Sequence, residues 1–432
     1  MANSFSKEER VAFERLLEGF NDALVLARNV SKFSTDQVMM ERTAVGTAYG
    51  GTIWRPYPYI MTSINGSPGT DIGTSFAQQT QLSVPATIGY AKTVPFTLNA
   101  LELRDALQEQ RLGDAAKQKL ASDINVALLN VASLQGTLVV SRSAASTGFD
   151  DVAQCEAIMN EQGVPMEDRS LALSTRDYNG MASNLQTASR TFGNPKSDTA
   201  FEKAYVGRVA SFETLKLDYA NRQAAAAGGA SITINTNTQF YQPKATSTAG
   251  TGETGNVDNR YQTVTVSSSA SVAAGDCFTI GGVNAVHHIT KGDTGQLKTF
   301  RVISVPVGGT TLVISPPIIS APGATPTQAE LEYKNVTVVG STTAPITFLN
   351  KNAAYLNPFW QKDALEILPG RLAIPSDAGV AVMRGVTDVG VELVMSKFYD
   401  INTSTTKYRM DTLFGVVCKQ PEMAGVMLFS QA

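Results

Sequence analysis

The residues that could do acid–base or redox chemistry are few and scattered. The only two histidines, His287 and His288, are adjacent in a stretch read as strand, where neighbours point to opposite faces. No acid or nucleophile motif surrounds them, so imidazole catalysis has one place to live and nothing to work with. Cys155, Cys277 and Cys418 lie far apart, and none has a second Cys or a His at ligand spacing, which argues against a metal site or redox pair. Gly250, Gly252 and Gly255 spell G-x-G-x-x-G. That fingerprint needs a strand before it and a helix N-terminus after it to receive a pyrophosphate. Here Ser, Thr and Gly precede it and a strand follows, so it reads as a loop. The sequence has no Walker A lysine motif, no H-E-x-x-H and no G-x-S-x-G. Glu330, Glu332 and Lys334 read as a solvated edge, and Glu366 and Arg371 as flanking an apolar turn. No carboxylates stand at the spacing of a metal site or an acid–base pair. Phe359–Trp360 beside Pro358 could stack a ligand, but buried structural aromatics are the commoner case. The inventory disfavours an enzyme and assigns no catalytic, cofactor-binding or metal-ligating residue.

Composition narrows the class further. The 432 residues imply two or three folded units. With 43% hydrophobic and 17% charged residues, the chain is too apolar for disorder, and it has no apolar run of membrane length. Lys and Arg total 35 against 38 Asp and Glu, a net charge of -3, so no domain-wide basic field exists to neutralise phosphates. The first twenty residues place alternating charges where a signal peptide needs an apolar core, and a reducing cytosol is expected.

The elements come from periodicity. Ser6 with Glu9 makes a capping box, and Phe13, Leu17, Phe20, Leu24 and Ala27 form one stripe, predicting a helix from Lys7 to Phe33. Its other side carries Glu14, Glu18 and Asp22. Such a stripe needs a partner, either its own core or another copy of the chain. From Thr43 to Pro95 the chain reads as extended hairpin, with Trp54, Tyr57 and Tyr59 around Pro56 and Pro58 and turns at Asn65–Gly66 and Pro68–Gly69. Helices are predicted over Leu101–Leu112 and Asp114–Leu134, with Gly113 and Asp114 as stop and new N-cap. A third runs from Asp150 to Gln162, ended by Gly163, and a strand follows at Leu171–Ser174. Between Ser231 and Ala344, short alternating runs such as Tyr261–Val266, Thr299–Val305 and Thr311–Ile314 predict a small antiparallel barrel or sandwich. Strand patterns return at Val389–Met395 and Thr412–Val417. The economical reading is an all-β domain inserted into an α+β domain.

Four motifs in order carry a family resemblance: Val257-Asp258-Asn259-Arg260-Tyr261, Phe359-Trp360 followed by Asp363-Ala364, Asp388-Val389-Gly390, and Pro421-Glu422 with Gly425-Val426. With the inserted-domain layout, the chain resembles the coat proteins of short-tailed double-stranded DNA phages of the Salmonella P-twenty-two type, a branch of the Hong Kong 97 capsid fold. The resemblance implies an N-arm over 1–42, an E-loop over 43–95 and a peripheral domain over 96–165 with its spine helix at Asp114–Leu134. It further implies an axial domain over 166–230, continued in 345–432 with a return to the periphery, and an insert over 231–344, telokin-like, with a D-loop at 243–258.

The resemblance implies a major capsid protein that assembles in the host cytoplasm as pentamers and hexamers of an icosahedral shell, around a scaffolding protein and with a portal protein. That shell expands as double-stranded DNA enters, and the DNA is met only by non-specific proximity. No membrane partner and no cofactor are implied. Glu14, Glu18 and Asp22 are candidates for the scaffolding contact, Trp54 and Tyr57 for a contact of the E-loop with a neighbouring copy, and Lys244, Glu253 and Asp258 for a D-loop contact at two-fold axes. One member of the wider fold cross-links its shell through E-loop lysines. The stretch Thr43–Ala91 has none, so the shell is expected to hold by non-covalent burial. The rival reading, a secreted β-rich adhesin or carbohydrate-binding protein, rests on the Thr- and Gly-rich insert and needs a secretion signal.

Overall fold

The computed structural model describes residues 5, 7–33, 52–58, 60–63, 71–73, 76, 79–99, 106–189, 206–227, 232–236, 238–323, 325–372 and 379–432. Tyr59, the Asn65–Gly66 and Pro68–Gly69 turns and the Ser6 cap lie outside these. The chain forms two compact units, Met1–Ile53 with Ala86–Val131 and Leu365–Val417, and Trp54–Pro85 with Ala132–Ala364 and Cys418–Ala432. This grouping differs from the sequence reading, which joined 345 onward to 166–230. Its cause is strand pairing: Thr405–Cys418 runs antiparallel to Tyr90–Asn99, from Thr405↔Asn99 to Phe414↔Tyr90.

In the first unit, helix α1 (Lys7–Ala23) buries Phe13 and Phe20, with Leu24 and Ala27 just beyond it. The apolar stripe thus finds its partner in its own unit, where α1 meets the strand Ala381–Val386. The helix stops ten residues before the predicted Phe33. Arg28 Nη2 donates to the Asn21 carbonyl at 3.0 Å, satisfying an end that helices leave open. Val30 is then extended, and Ser31–Lys32 pairs in parallel with Leu365–Pro369. The sheet order is Ser31–Lys32, Leu365–Pro369, Thr405–Cys418, Glu392–Asp400, Ala381–Val386. Both predicted late strands exist, the first displaced toward Asp400 and the second longer than expected. Glu366, expected beside a turn, is a buried residue of a strand.

Helix α2 (Ala106–Gln135) is continuous where two helices were predicted. A Cβ on Gly113 would come 3.1 Å from Leu16 Cδ1, so this glycine allows close approach rather than ending a helix. Asp114 pairs with Lys117 at 2.9 Å instead of capping. Leu120, Ile124 and Leu128 are buried, as their spacing requires.

The second unit is built on a six-stranded mixed sheet: Leu138–Ser141, Ala424–Leu428, Asn357–Gln361, Arg169–Ser174, Phe212–Leu217, Arg208–Val209. One face carries Leu138, Val140, Leu171, Leu173, Phe359 and Met427. It packs against α3 (Phe149–Gln162) and α4 (Thr175–Ser189). Gly163 caps α3 at φ 79°, as predicted. The other face, with Val139, Val426 and Leu428, is covered by Cys277 of the insert. Covered on both sides, Phe359 and Trp360 are structural.

The insert is an antiparallel sheet ordered Gln262–Thr265, Thr311–Ser315, Asp293–Ser304, Cys277–Val286, Ile346–Phe348. Thr233 bridges Pro345 at one edge and Ile234 bridges Val266 at the other, so a single segment closes both edges. The interior holds Phe278, Phe300, Ile280, Val302, Leu312 and Ile314. The three strand runs read from sequence are all present. Gly250 and Gly252 lie in the turn of a hairpin, Thr246–Thr248 with Thr254–Asn256, and Gly255 on its second strand.

Glu330 and Glu332, expected on a solvated edge, are buried in a short helix, α5 (Gln328–Tyr333). The Glu330 carboxylate accepts from Thr327 N at 2.8 Å and Thr327 Oγ1 at 2.7 Å, a capping box. Glu332 accepts from Gln328 Nε2 at 2.9 Å.

Candidate functional site

The residues singled out for assembly fall in three places. On α1, Glu14 and Glu18 are exposed, while Asp22 pairs with Arg28 at 3.0 Å. The acidic row is therefore presented, with its last member already neutralised in part. Such a pair, open to water, contributes at most about 1 kcal/mol.

Trp54 and Tyr57 lie on and beside the strand Ile53–Pro56, which pairs with Ser83–Ala86. Tyr57 meets Tyr333 of its own chain edge-on, ring centroids 5.9 Å apart, and its N–H donates to the Leu82 carbonyl at 2.9 Å. Burial pushes its phenol well above the ordinary tyrosine value. Trp54 is half-buried.

The exposed hairpin of the insert carries Glu253 at its turn, with Lys244 exposed at its foot. Asn259 holds that foot: its Oδ1 accepts from Lys244 N at 3.0 Å and its Nδ2 donates to Lys244 O at 2.8 Å. Asp258 is engaged by Arg260 at 2.7 Å. The structure brings Lys244 and Asp258 to the hairpin base and leaves Glu253 apart at its tip.

A fourth cluster went unread in the sequence. Lys298 Nζ donates to Glu422 Oε1 at 2.6 Å and to Gln162 Oε1 at 2.8 Å. Asn335 Nδ2 donates to the same Glu422 oxygen at 3.1 Å. His288 Nε2 stands 3.6 Å from Glu422 Oε2, and the His288 N–H donates to the Gln162 carbonyl at 3.2 Å. Nearby, Thr299 Oγ1 donates to Thr137 O at 2.8 Å and Arg301 Nη1 to Gly136 O at 3.2 Å, which places a cation at the C-terminal end of α2.

These contacts fasten the insert to the sheet beneath it. Burial alone would raise the Glu422 carboxyl, but Lys298 and His288, with hydrogen bonds from Lys298 and Asn335, outweigh it and hold it at about 2. Burial lowers His288 to about 4, against the pull of Glu422. The histidines lie past the end of their strand, contrary to expectation, and His288 does have an acid beside it. The local pattern gave only one hint: Lys298 interrupts the run that contains Phe300 and Val302.

The family model for P22 coat protein (gene protein 5) matches residues 1–430. The chain belongs to the P22 coat protein family. It is a major capsid protein that forms the icosahedral shell of a phage, its fold is the mixed helix-and-sheet fold of Hong Kong 97 type, and its place is the virion capsid.

Among solved structures, the CUS-3 coat protein I-domain is 38% identical over 29% of this chain and 99% of its own, with a TM-score of 0.21. The capsid of the cyanophage P-SCSP1u is 12% identical, covering 93% of this chain and 92% of its own, at a TM-score of 0.42. Mycobacterium phage Che8 gives 9% identity, 92% and 96% coverage, and a TM-score of 0.40. Among the described residues, no helix is long and apolar enough to cross a membrane.

Proposed function

We propose that this coat protein assembles on a scaffolding protein into a procapsid with a portal protein, and that the shell expands as double-stranded DNA is packaged. The match to a coat family along almost the whole chain carries this reading. Glu14 and Glu18 on α1 are the scaffolding contact, because exposed charge pairs release reversibly whereas deep apolar burial does not. The apolar side of α1 supports the assignment, since it is spent inside its own unit and leaves the acidic side outward.

The insert, read from sequence as residues 231–344 and carried on to Phe348 by its edge strand, is a telokin-like domain that folds by itself. Its support is a separate apolar core and a sheet bridged at both edges. Its exposed hairpin, within 243–258, meets a second copy of the chain at two-fold axes by shape more than by charge. Trp54 lends apolar area to a neighbour, and Tyr57 supports it from beneath. The protein works as structure and turns over no external substrate.

Sedimentation of the purified chain, alone and with the scaffolding protein, tests this reading. Closed shells of one size with scaffolding, and subunits or irregular aggregates without it, are the expected result. Identical products in both mixtures would remove the scaffolding step.

A further inference from the structure

A cavity of about 730 Å³ opens beside the Glu422 cluster, lined wholly by residues of the second unit. That is the volume of an ordinary small-molecule site. Most of its wall is apolar and stiff: Pro56, Pro58 and Pro165 carry locked rings, joined by Ile60, Ile289 and Met423. Ile289 is 68% exposed, so the wall has apolar area left to cover.

Two polar atoms of the lining lack a donor. Glu422 is 7% exposed. Its Oε1 accepts from both Lys298 Nζ and Asn335 Nδ2, and among the described residues no hydrogen bond reaches its Oε2. His288 Nε2 stands 3.6 Å from that oxygen, too far to satisfy it but near enough to place the ring proton on Nε2. His288 Nδ1 is then an acceptor, and it is buried with no partner among the described residues. Both side chains line the cavity, so a molecule that fits must bring a donor.

Charge decides the kind of donor. Burial lowers His288 first, and Lys298, Lys291 and His287 lower it further, against the pull of Glu422. The same cations oppose a ligand ammonium. A neutral hydroxyl meets no such opposition, and its bond to an ionised carboxylate is charge-assisted. The walls decide the body. Proline rings present rigid faces, and the Met423 thioether packs well against an aromatic ring. A rigid ring also loses less freedom on binding than a flexible chain.

We propose that this cavity is a binding site for a neutral aromatic alcohol, its ring held against the proline and methionine walls and its hydroxyl donating to Glu422 Oε2. His288 Nδ1 is the acceptor for a second hydroxyl on the same ring. The ligand touches the insert at Ile289 and the approach to the last strand at Met423, and so clamps the insert to its sheet.

The test is calorimetric titration of the folded full-length chain with 2-naphthol. One saturable site per chain is expected, together with a raised unfolding temperature. The methyl ether of the same ring, which has no donor, should bind at least about tenfold more weakly. Naphthylmethylamine, protonated at pH 7, should also bind more weakly than the naphthol. Ile289→Asp, on the exposed wall, should leave the chain folded and weaken the naphthol about tenfold. Glu422→Gln should weaken it likewise. Because that change also removes the partner of Lys298 and can unfold the chain, the methyl ether on wild type keeps the hydroxyl measurable. Absence of saturable binding would overturn the proposal, as would equal affinity with and without the hydroxyl or unchanged affinity in Ile289→Asp. Tighter binding of the amine would overturn the neutral assignment. The shell-forming role stands or falls separately, since it needs no small molecule.

Discussion

Arg260 closes on Asp258 as a fork, Nη2 to Oδ2 at 2.7 Å and Nε to Oδ1 at 2.9 Å. Its third nitrogen, Nη1, donates to the Cys418 carbonyl at 2.9 Å. The charge of Asp258 is therefore spent within the chain, fastening the hairpin base to Cys418, from which the chain leads into the last strand, Ala424–Leu428. Arg260 is 9% exposed, so its removal strands a half-buried carboxylate and an unpaired carbonyl. Arg260→Ala should cost about 3 kcal/mol in urea unfolding. Glu253→Ala, on the exposed turn, should stay within about 0.5 kcal/mol and leave shell yield unchanged, whereas deletion of Thr246–Gly255 should misdirect assembly. A large assembly defect from Glu253→Ala alone would show that its charge is used between subunits.

The continuity of α2 through Gly113 predicts the outcome of filling that position. Alanine favours a helix interior over glycine by about 1 kcal/mol, and the neighbour that must yield is the half-buried Leu16 side chain. Gly113→Ala should therefore raise stability by somewhat less than about 1 kcal/mol in urea unfolding. A loss would mean that α1 cannot move and that the close approach is fixed.

Helices α1, α2 and α3, the Gly163 cap and the insert strands were legible because each is written in a local period or a nearby turn residue, whereas α4 and α5 went unread. Gly113 misled because a glycine reads alike whether it ends a helix or admits a neighbour, and only the position of Leu16 decides. Glu330 and Glu332 were placed in solvent on their charge alone, and Glu366 was placed beside a turn. Their burial depends on Thr327, on Gln328 and on sheet neighbours. The Lys298–Glu422 pair is separated by 124 positions, so neither residue carries a local sign of the other. The division into units depends on a similar long-range pairing, between the strands Tyr90–Asn99 and Thr405–Cys418.

Acid should weaken the folded chain through His288. Its folded value of about 4 lies below the ordinary 6.5, so the unfolded chain takes up the proton first. The stability is complete above pH 6.5 and is lost as pH falls toward 4, by about 3 kcal/mol in all. Glu422, Lys298, Lys291 and His287 are the charged or titratable groups that act on it, but burial is the leading cause. Urea midpoints of wild type and His288→Gln, followed from pH 7 to 4, should converge as the wild type loses stability. Parallel curves would place the acid sensitivity elsewhere.

Glu14→Lys with Glu18→Lys should leave the monomer folded, because both side chains point to solvent while Phe13 and Phe20 remain packed. Binding to the scaffolding protein should weaken, and raised salt should weaken the wild-type contact in the same way. Unchanged co-assembly of the double variant at low salt would move the contact to another surface.

Electron microscopy of particles from cells expressing this chain with its scaffolding protein tests the central claim most directly. Three-dimensional reconstruction should yield a closed icosahedral shell of pentamers and hexamers, each copy of the chain accommodating the two units and the closed β insert described above. Purified folded subunits that never yield a closed shell, whatever the ratio of scaffolding supplied, would contradict it.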